Sequence, residues 1–256
     1  MRIAVLADIH GNLRALEAVR QDLARRSPDL IVNLGDHVSG PLQAAATADL
    51  LMQQDWVHIR GNHDRQLLDR SPASMGLSDQ AAHAQLTPRH LEWLAGLPPT
   101  QSLPPTQILT EGVLLCHGTP ASDVEYLLEE VHGDCVGLAS PEQIRAKIGN
   151  VSSELIFCGH SHVPRVLSVL GGIWVVNPGS VGLPGYEASA PAPHYVETGS
   201  PLAKYAVVDW SGKKLRVDLI ALDYDWASAS REAAEANRPD WAHALATGYV
   251  LRPRGG

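Results

Sequence analysis

The sequence predicts an α/β fold in which parallel strands are joined by crossover helices. Two observations in the first 64 residues carry this. Short continuous apolar runs, as in strands buried on both faces, alternate with stretches of helical period. Each run also ends in Asp, His or Asn beside a Gly, at the strand ends where open α/β sheets gather their ligands.

Ile3 to Ala7 is the first run, and it stops at Asp8-Ile9-His10-Gly11-Asn12. Leu13, Leu16, Val19, Arg20 and Leu23 then repeat at helical spacing up to the stop Ser27-Pro28. Leu30 to Leu34 is a second strand ending in Gly35-Asp36. A helix from about Gln43 to Gln54 leads to a third strand, Trp56 to Ile59, which ends in Arg60-Gly61-Asn62-His63-Asp64. The order β-α-β-α-β is that of a parallel sheet.

Residues 64–98 read as short helices with breaks near Ser71-Pro72 and Thr87-Pro88, a helical cap beside the site. Val113 to Cys116 is a further strand ending in His117-Gly118. Helices are expected around Asp123 to Glu130 and from Pro141 to Ile148. The strand Leu155-Ile156-Phe157 follows, ending in Cys158-Gly159-His160-Ser161-His162. Beyond it the pattern turns antiparallel: Val166–Leu170, a Gly171-Gly172 turn and Ile173–Val176. Tyr205–Trp210, a Ser211-Gly212 turn and Leu215–Ala221 form a second hairpin. Residues 183–202, rich in Pro and Gly, read as a long loop of the kind that often serves as a lid. The tail from Asp225 reads as an amphipathic helix that then frays. The 256 residues are expected to form one domain.

Composition narrows the function classes. Hydrophobic residues make up 45% and charged residues 19%, and with a single Phe the aliphatics and the 6 Trp must fill the core. A net charge of -8 argues against a dedicated nucleic-acid surface. It leaves room for a phosphate-bearing substrate, because bound cations reverse the local field. The 3 cysteines, Cys116, Cys135 and Cys158, form no C-x-x-C pair, so neither a disulfide framework nor a Cys-rich zinc site is indicated. With no signal peptide and no apolar run of membrane-spanning length, a soluble cytoplasmic protein is expected, and no membrane partner.

His160-Ser161-His162 alone fits either a chelate on one ion or a turn that carries two histidines. Asp8 alone would read as a helix N-cap, and Asn62 as a turn residue. Collected, the strand-end residues Asp8, His10, Asp36, Asn62, His63, His117, His160 and His162 are too many for one metal ion and about right for two. Mixed N/O ligation without thiolate suits Mn, Fe, Zn, Co or Ni. Two such ions, about 3.5–4 Å apart, clamp the attacking and leaving oxygens of an in-line phosphoryl displacement. Asp64 reads as a helix cap that supports the loop, and Cys116 and Cys158 as buried, inert thiols. His58, His83, His90, His132 and His243 read as ordinary surface or core histidines. Arg60 and His37, and beyond them His194-Tyr195, are candidates for substrate contact.

Asp8-x-His10, Gly35-Asp36, Gly61-Asn62-His63-Asp64, His117-Gly118 and Gly159-His160-Ser161-His162 resemble the five ordered motifs of the calcineurin-like metallophosphoesterase superfamily. Asn177-Pro178-Gly179-Ser180-Val181-Gly182 is similar to a segment of its small bacterial phosphodiesterase branch. The resemblance implies a four-layer αββα sandwich of two mixed sheets. It implies that Asp8, His10 and His162 hold one metal and Asn62, His117 and His160 the other, with Asp36 bridging. Two divalent transition-metal ions are expected, Mn foremost. His63 would be the catalytic histidine, outside both metals, giving a proton to the leaving oxygen. On this reading His160 and His162 serve different ions, with Gly159 freeing the backbone to aim them apart.

The same resemblance bears on substrate. Serine/threonine phosphatases and dinucleoside-tetraphosphate hydrolases of the superfamily carry an Asp or Asn and then an Arg where this chain has Ser39-Gly40. The histidine-orienting position is therefore Ser39, and the phosphate-gripping Arg is missing, unless Arg60, Arg65 or Arg165 substitutes. A singly charged diester needs fewer cations than a dianionic monoester. The expected reaction is thus hydrolysis of a phosphodiester, in a small molecule or nucleotide, by attack of a metal-bridging hydroxide. The alternatives are a phosphomonoesterase or protein phosphatase, a dinucleoside-polyphosphate hydrolase, and an inactive metal-bound scaffold.

Overall fold

In the computed structural model, which describes residues 1–104, 112–169, 171–211 and 214–252, alternate residues of single strands face two different layers. In β1 (Arg2–Leu6) and the residue after it, Ile3, Val5 and Ala7 pack into one apolar cluster, and Ala4 and Leu6 into another. This is the two-residue period of a strand covered on both faces.

The first sheet continues with β2 (Leu30–Asn33) and β3 (Val57–His58), both parallel. The helices α1 (Leu13–Arg26) and α2 (Ala44–Leu51) make the crossovers. The segment predicted as a helical cap holds α3 (Asn62–Asp69), a short 3-10 turn, α4 (Leu77–His83) and α5 (Pro88–Gly96). A second sheet begins with β4 (Thr100–Leu103), absent from the sequence reading, and β5 (Val113–Cys116), antiparallel to each other.

The helix expected around Asp123 to Glu130 is absent. Turns lead instead into an antiparallel pair, β6 (Glu129–His132) and β7 (Cys135–Leu138), reversed at Gly133 with φ of 65°. Leu127 and Leu128 of this stretch are buried. Their burial against Ile144 and Ile148 of α6 (Pro141–Ile148) comes from tertiary packing.

The second sheet is completed by β8 (Leu155–Phe157), β9 (Arg165–Val169) and β10 (Ile173–Asn177), in the order β4-β5-β8-β10-β9. Leu170, at the expected end of β9, lies outside the described residues. Residues 183–202, expected as a loop, contain β11 (Gly185–Ala188) and β12 (His194–Glu197), paired antiparallel. The short alternation His194-Tyr195-Val196-Glu197, with His194 and Val196 buried, is masked in the sequence by its prolines. With β7 and β6 these strands form a small third sheet, β11-β12-β7-β6.

The strand β13 (Ala203–Ser211) then pairs antiparallel with β1, and β14 (Lys214–Leu222) with β13. Gly212 of the expected turn lies outside the described residues. The tail forms two helices, α7 (Trp226–Glu235) and α8 (Pro239–Thr247).

The two five-stranded sheets pack face to face. Ile3, Val5, Val32 and Ile59 of the first meet Val113, Leu115, Leu155 and Phe157 of the second in one cluster. Outside them, α1, α7 and α8 cover the first sheet, and α6 covers the second through Leu114, Cys116 and Ile156. This is the αββα arrangement, with the small third sheet added.

Candidate metal centre

The strands β1, β2, β3, β5 and β8 run parallel within their sheets, and their carboxyl ends meet. Asp8, His10 and His162 offer ligand atoms all within 4.8 Å of one another, and so do Asp36, His117 and His160. The backbone there is unusual. Asp8, His10, Asp36, His160 and His162 have φ of 57, 52, 54, 65 and 58°, five of the seven non-glycine residues with positive φ among the described residues. Such conformations cost roughly 1–3 kcal/mol each and cluster at functional sites. The turn at the His-x-His is thus made by the histidines themselves. The role expected for Gly159 changes accordingly. It permits close approach, since a Cβ there would lie 3.0 Å from Ala7 Cβ and 3.2 Å from Asp8 Oδ2.

Three of the imidazoles are fixed in one tautomer. His10 Nδ1 donates to Ser39 O at 2.9 Å, His117 Nδ1 to Leu34 O at 2.8 Å and His162 Nδ1 to Leu183 O at 2.7 Å. A carbonyl can only accept, so each Nδ1 carries hydrogen, and in the neutral ring that binds a metal each Nε2 is left to offer a lone pair. Those Nε2 atoms face other electron-pair donors. His10 Nε2 lies 3.2 Å from His162 Nε2, and His117 Nε2 lies 3.0 Å from Asn62 Oδ1. Asp8 Oδ1 is buried without a hydrogen-bond partner, 3.4 Å from His162 Nε2 and 4.0 Å from His117 Nε2. Asp36 Oδ2 lies 3.8 Å from His10 Nε2 and 3.4 Å from His117 Nε2, so it faces both groups, while Asp36 Oδ1 accepts from His63 N–H at 2.9 Å. Lone pairs converging in a buried site repel unless positive charge lies between them. The donor set therefore fits two cations.

Protonation follows the same field. Burial holds His10 neutral, its pKa pushed down to about 4, and burial with the neighbouring His117 pushes His160 down to about 3. For His117 burial acts the same way, but Asp36 and Asp8 outweigh it and raise the pKa to about 10. The carboxylate pair thus draws a proton onto His117 where a metal ion would otherwise supply the charge. Cys116 and Cys158 are buried with their thiols pushed up, Cys116 to about 12, and neither belongs to the two ligand groups.

His63 stands beside the two groups, partly exposed. Its Nδ1 bonds Asp79 Oδ1 at 2.8 Å, and the same oxygen accepts from Ser39 Oγ at 2.6 Å. Ser39, expected at the histidine-orienting position, thus reaches His63 only through Asp79, a residue of α4 that no sequence signal singled out. Burial lowers the pKa of His63, but Asp36 and Asp79 reverse this and raise it to about 9.

Asp64 is fully buried and accepts four hydrogen bonds, from the backbone N–H of Gly61, Asp36 and His37 and from His37 Nδ1, at 2.8 to 3.0 Å. It ties the β2 and β3 loops together. That tie corrects the reading of His37 as a substrate contact. The ring is fully buried, with Nδ1 on Asp64 and Nε2 3.2 Å from His58 Nδ1. His194 is likewise internal, bonded to Tyr126 OH and Ala192 O.

A cavity of about 510 Å³ opens over the centre, with His10, Asp36, His63, His160 and His162 in its lining. Arg60 does not line it. Arg65 is paired with Asp123 and Arg165 with Glu129, each at 2.7 Å. Tyr186, Arg238 and Trp241 do line it. They come from the third sheet and from α8 or just before it, where no motif marks them.

The sequence profile of the calcineurin-like phosphoesterase superfamily domain matches residues 1–199. The chain belongs to that superfamily. Members are metal-dependent phosphoester hydrolases, in keeping with the two candidate metal-binding groups. The chain is similar to an uncharacterized protein of Methanocaldococcus jannaschii, 26% identical over 93% of this chain and 94% of that one. The structure resembles a metallophosphoesterase from Sphaerobacter thermophilus, with a TM-score of 0.72 and 25% identity over 97% of this chain and 99% of the other. It also shares its fold with a hypothetical protein from Pyrococcus horikoshii, with a TM-score of 0.73 and 20% identity over 98% and 99% of the two chains. No described helix is long and apolar enough to cross a membrane.

Proposed function

We propose that the protein is a binuclear metal-dependent phosphodiesterase. The observation that carries this is the face-to-face approach of His10 Nε2 and His162 Nε2, 3.2 Å apart with both Nδ1 atoms committed to carbonyls. Asp8, His10 and His162 would hold one ion, and Asn62, His117 and His160 the other, with Asp36 serving both. When bound, two divalent ions such as Mn would polarise the phosphoryl oxygens and acidify the attacking water.

The chain's own residues do the rest. Asp36 keeps Oδ2 toward both groups because His63 N–H occupies Oδ1. Asp79 holds His63 through Nδ1, leaving Nε2 to pass a proton to the departing alkoxide, help typically worth about 10²–10⁴-fold. A phosphate in the cavity would meet no unpaired guanidinium: Arg238, which lines it, is paired with Asp240, and Arg65 and Arg165 are committed to Asp123 and Glu129. That favours the single negative charge of a diester over the dianionic monoester.

The test uses metal-reconstituted protein on bis-p-nitrophenyl phosphate, p-nitrophenyl phosphate and a dinucleoside tetraphosphate, with metal content measured in parallel. Two bound ions and diester preference are expected. Preference for the monoester or the tetraphosphate would replace the diesterase reading with the phosphatase or polyphosphate one. Inactivity on all three with every metal would leave a metal-bound scaffold.

A further inference from the structure

The cavity over the metal centre has two unlike walls. One is the ligand cluster with His63. The other comes from the third sheet, inside the span matched by the superfamily profile, and from C-terminal residues beyond it. Leu183, Tyr186, Trp241, Ala244, Val250 and Leu251 make this second wall chiefly apolar.

Its charges matter as much as its apolar surface. Among the described residues lining the cavity, Arg238 is the one lysine or arginine. Its guanidinium is already neutralised: Nε and Nη2 bind the Asp240 carboxylate at 2.9 and 2.6 Å, and Nη1 donates to Ser78 Oγ at 3.1 Å. Glu187, also in the lining and exposed, adds a second carboxylate. Apart from the metal centre, the wall thus sets one guanidinium against two carboxylates. A second or third phosphate placed there would meet net negative charge and no free cation. An uncharged aryl or alkyl group would instead bury apolar surface against it, and about 510 Å³ holds such a group together with one phosphate.

We propose that this wall selects the ester group. The substrate is a diester of a single phosphate whose organic group facing β11 and α8 is uncharged and largely apolar, and chains of phosphates are rejected. The proposal rests on the phosphodiesterase reading above.

Two measurements test it. The first is binding, independent of turnover: the metal-loaded protein is titrated with diphenyl phosphate and with dimethyl phosphate by calorimetry. Diphenyl phosphate is expected to bind at least tenfold more tightly. The preference should fall at least fivefold in Ala188→Trp, where a ring added at a half-exposed lining position occupies the cavity without entering the core. Equal binding of the two esters, or a preference unmoved by the substitution, overturns the proposal. The second is selectivity: kcat/KM for bis-p-nitrophenyl phosphate should exceed that for p-nitrophenylphosphorylcholine and for a dinucleoside tetraphosphate at least tenfold. A tenfold advantage for either charged ester overturns it. An intact binding preference without turnover of any diester supports the wall and removes only the hydrolytic reading.

Discussion

Asp79 Oδ1 lies 2.8 Å from His63 Nδ1 and 2.6 Å from Ser39 Oγ, so a carboxylate from α4 is joined both to the candidate proton donor and to the loop after β2. Asp79 is 1% exposed, and its partners lie 16 and 40 residues away in sequence. The helices of residues 64–98 are thus part of the site's construction.

Asp79→Asn should cut kcat by about 10- to 100-fold, part of the general-acid contribution, while metal content is unchanged. Asp79 helps raise the pKa of His63, and an acid works only while protonated. Removing this charge lowers that pKa, so the alkaline limb of the rate profile moves to lower pH. A full pH profile beside metal analysis checks both; loss of metal would show that Asp79 supports the ligands instead.

His162→Ala should bring bound metal from two equivalents toward one by emptying mainly the site shared with Asp8 and His10, and His160→Ala should affect the other. Metal analysis after dialysis reads the stoichiometry. Loss of the same single ion in both variants would mean that the histidine pair closes on one ion. Chelation of the wild type should lower its Tm, since cations that bind only the folded state stabilise it.

Asp64→Ala should destabilise the fold by roughly 3–5 kcal/mol, the cost of stranding the partners of a buried charge. Three backbone N–H groups and His37 Nδ1 lose their acceptor at once. Urea denaturation measures the difference, and a change below about 1 kcal/mol would show that the loops hold without this tie.

Asp22 of α1 gives a pH-dependent stability term remote from the metals. Burial raises its pKa, but Arg26, Tyr205 and Arg25 outweigh burial and lower it from 3.8 to about 2. A carboxylate depressed in the folded state stabilises above its unfolded pKa and loses that contribution as pH falls through the folded one. Asp22→Asn should therefore cost about 2 kcal/mol at neutral pH, with the gap to wild type closing between pH 4 and 2. Urea midpoints at a series of pH values follow it, and a gap independent of pH would assign the effect to packing alone.

The sequence by itself determined the strands that carry the site, β1, β2, β3, β5 and β8, and the chemistry of their ends. Apolar runs and helical periods are local, and so is the adjacency of Asp8, Asp36, His117 and His162 to the strands that carry them. Only the tertiary structure decided what those ends touch. It turned His37 inward onto Asp64 and brought Asp79 to His63. It also paired residues 185–188 with 194–197 where a loop was expected, and brought the Arg238–Asp240 pair into the lining of the same cavity as the histidines. Each of these depends on packing between segments distant in sequence, where no periodicity or motif links the partners, and burial, not local pattern, sets which polar group must meet which.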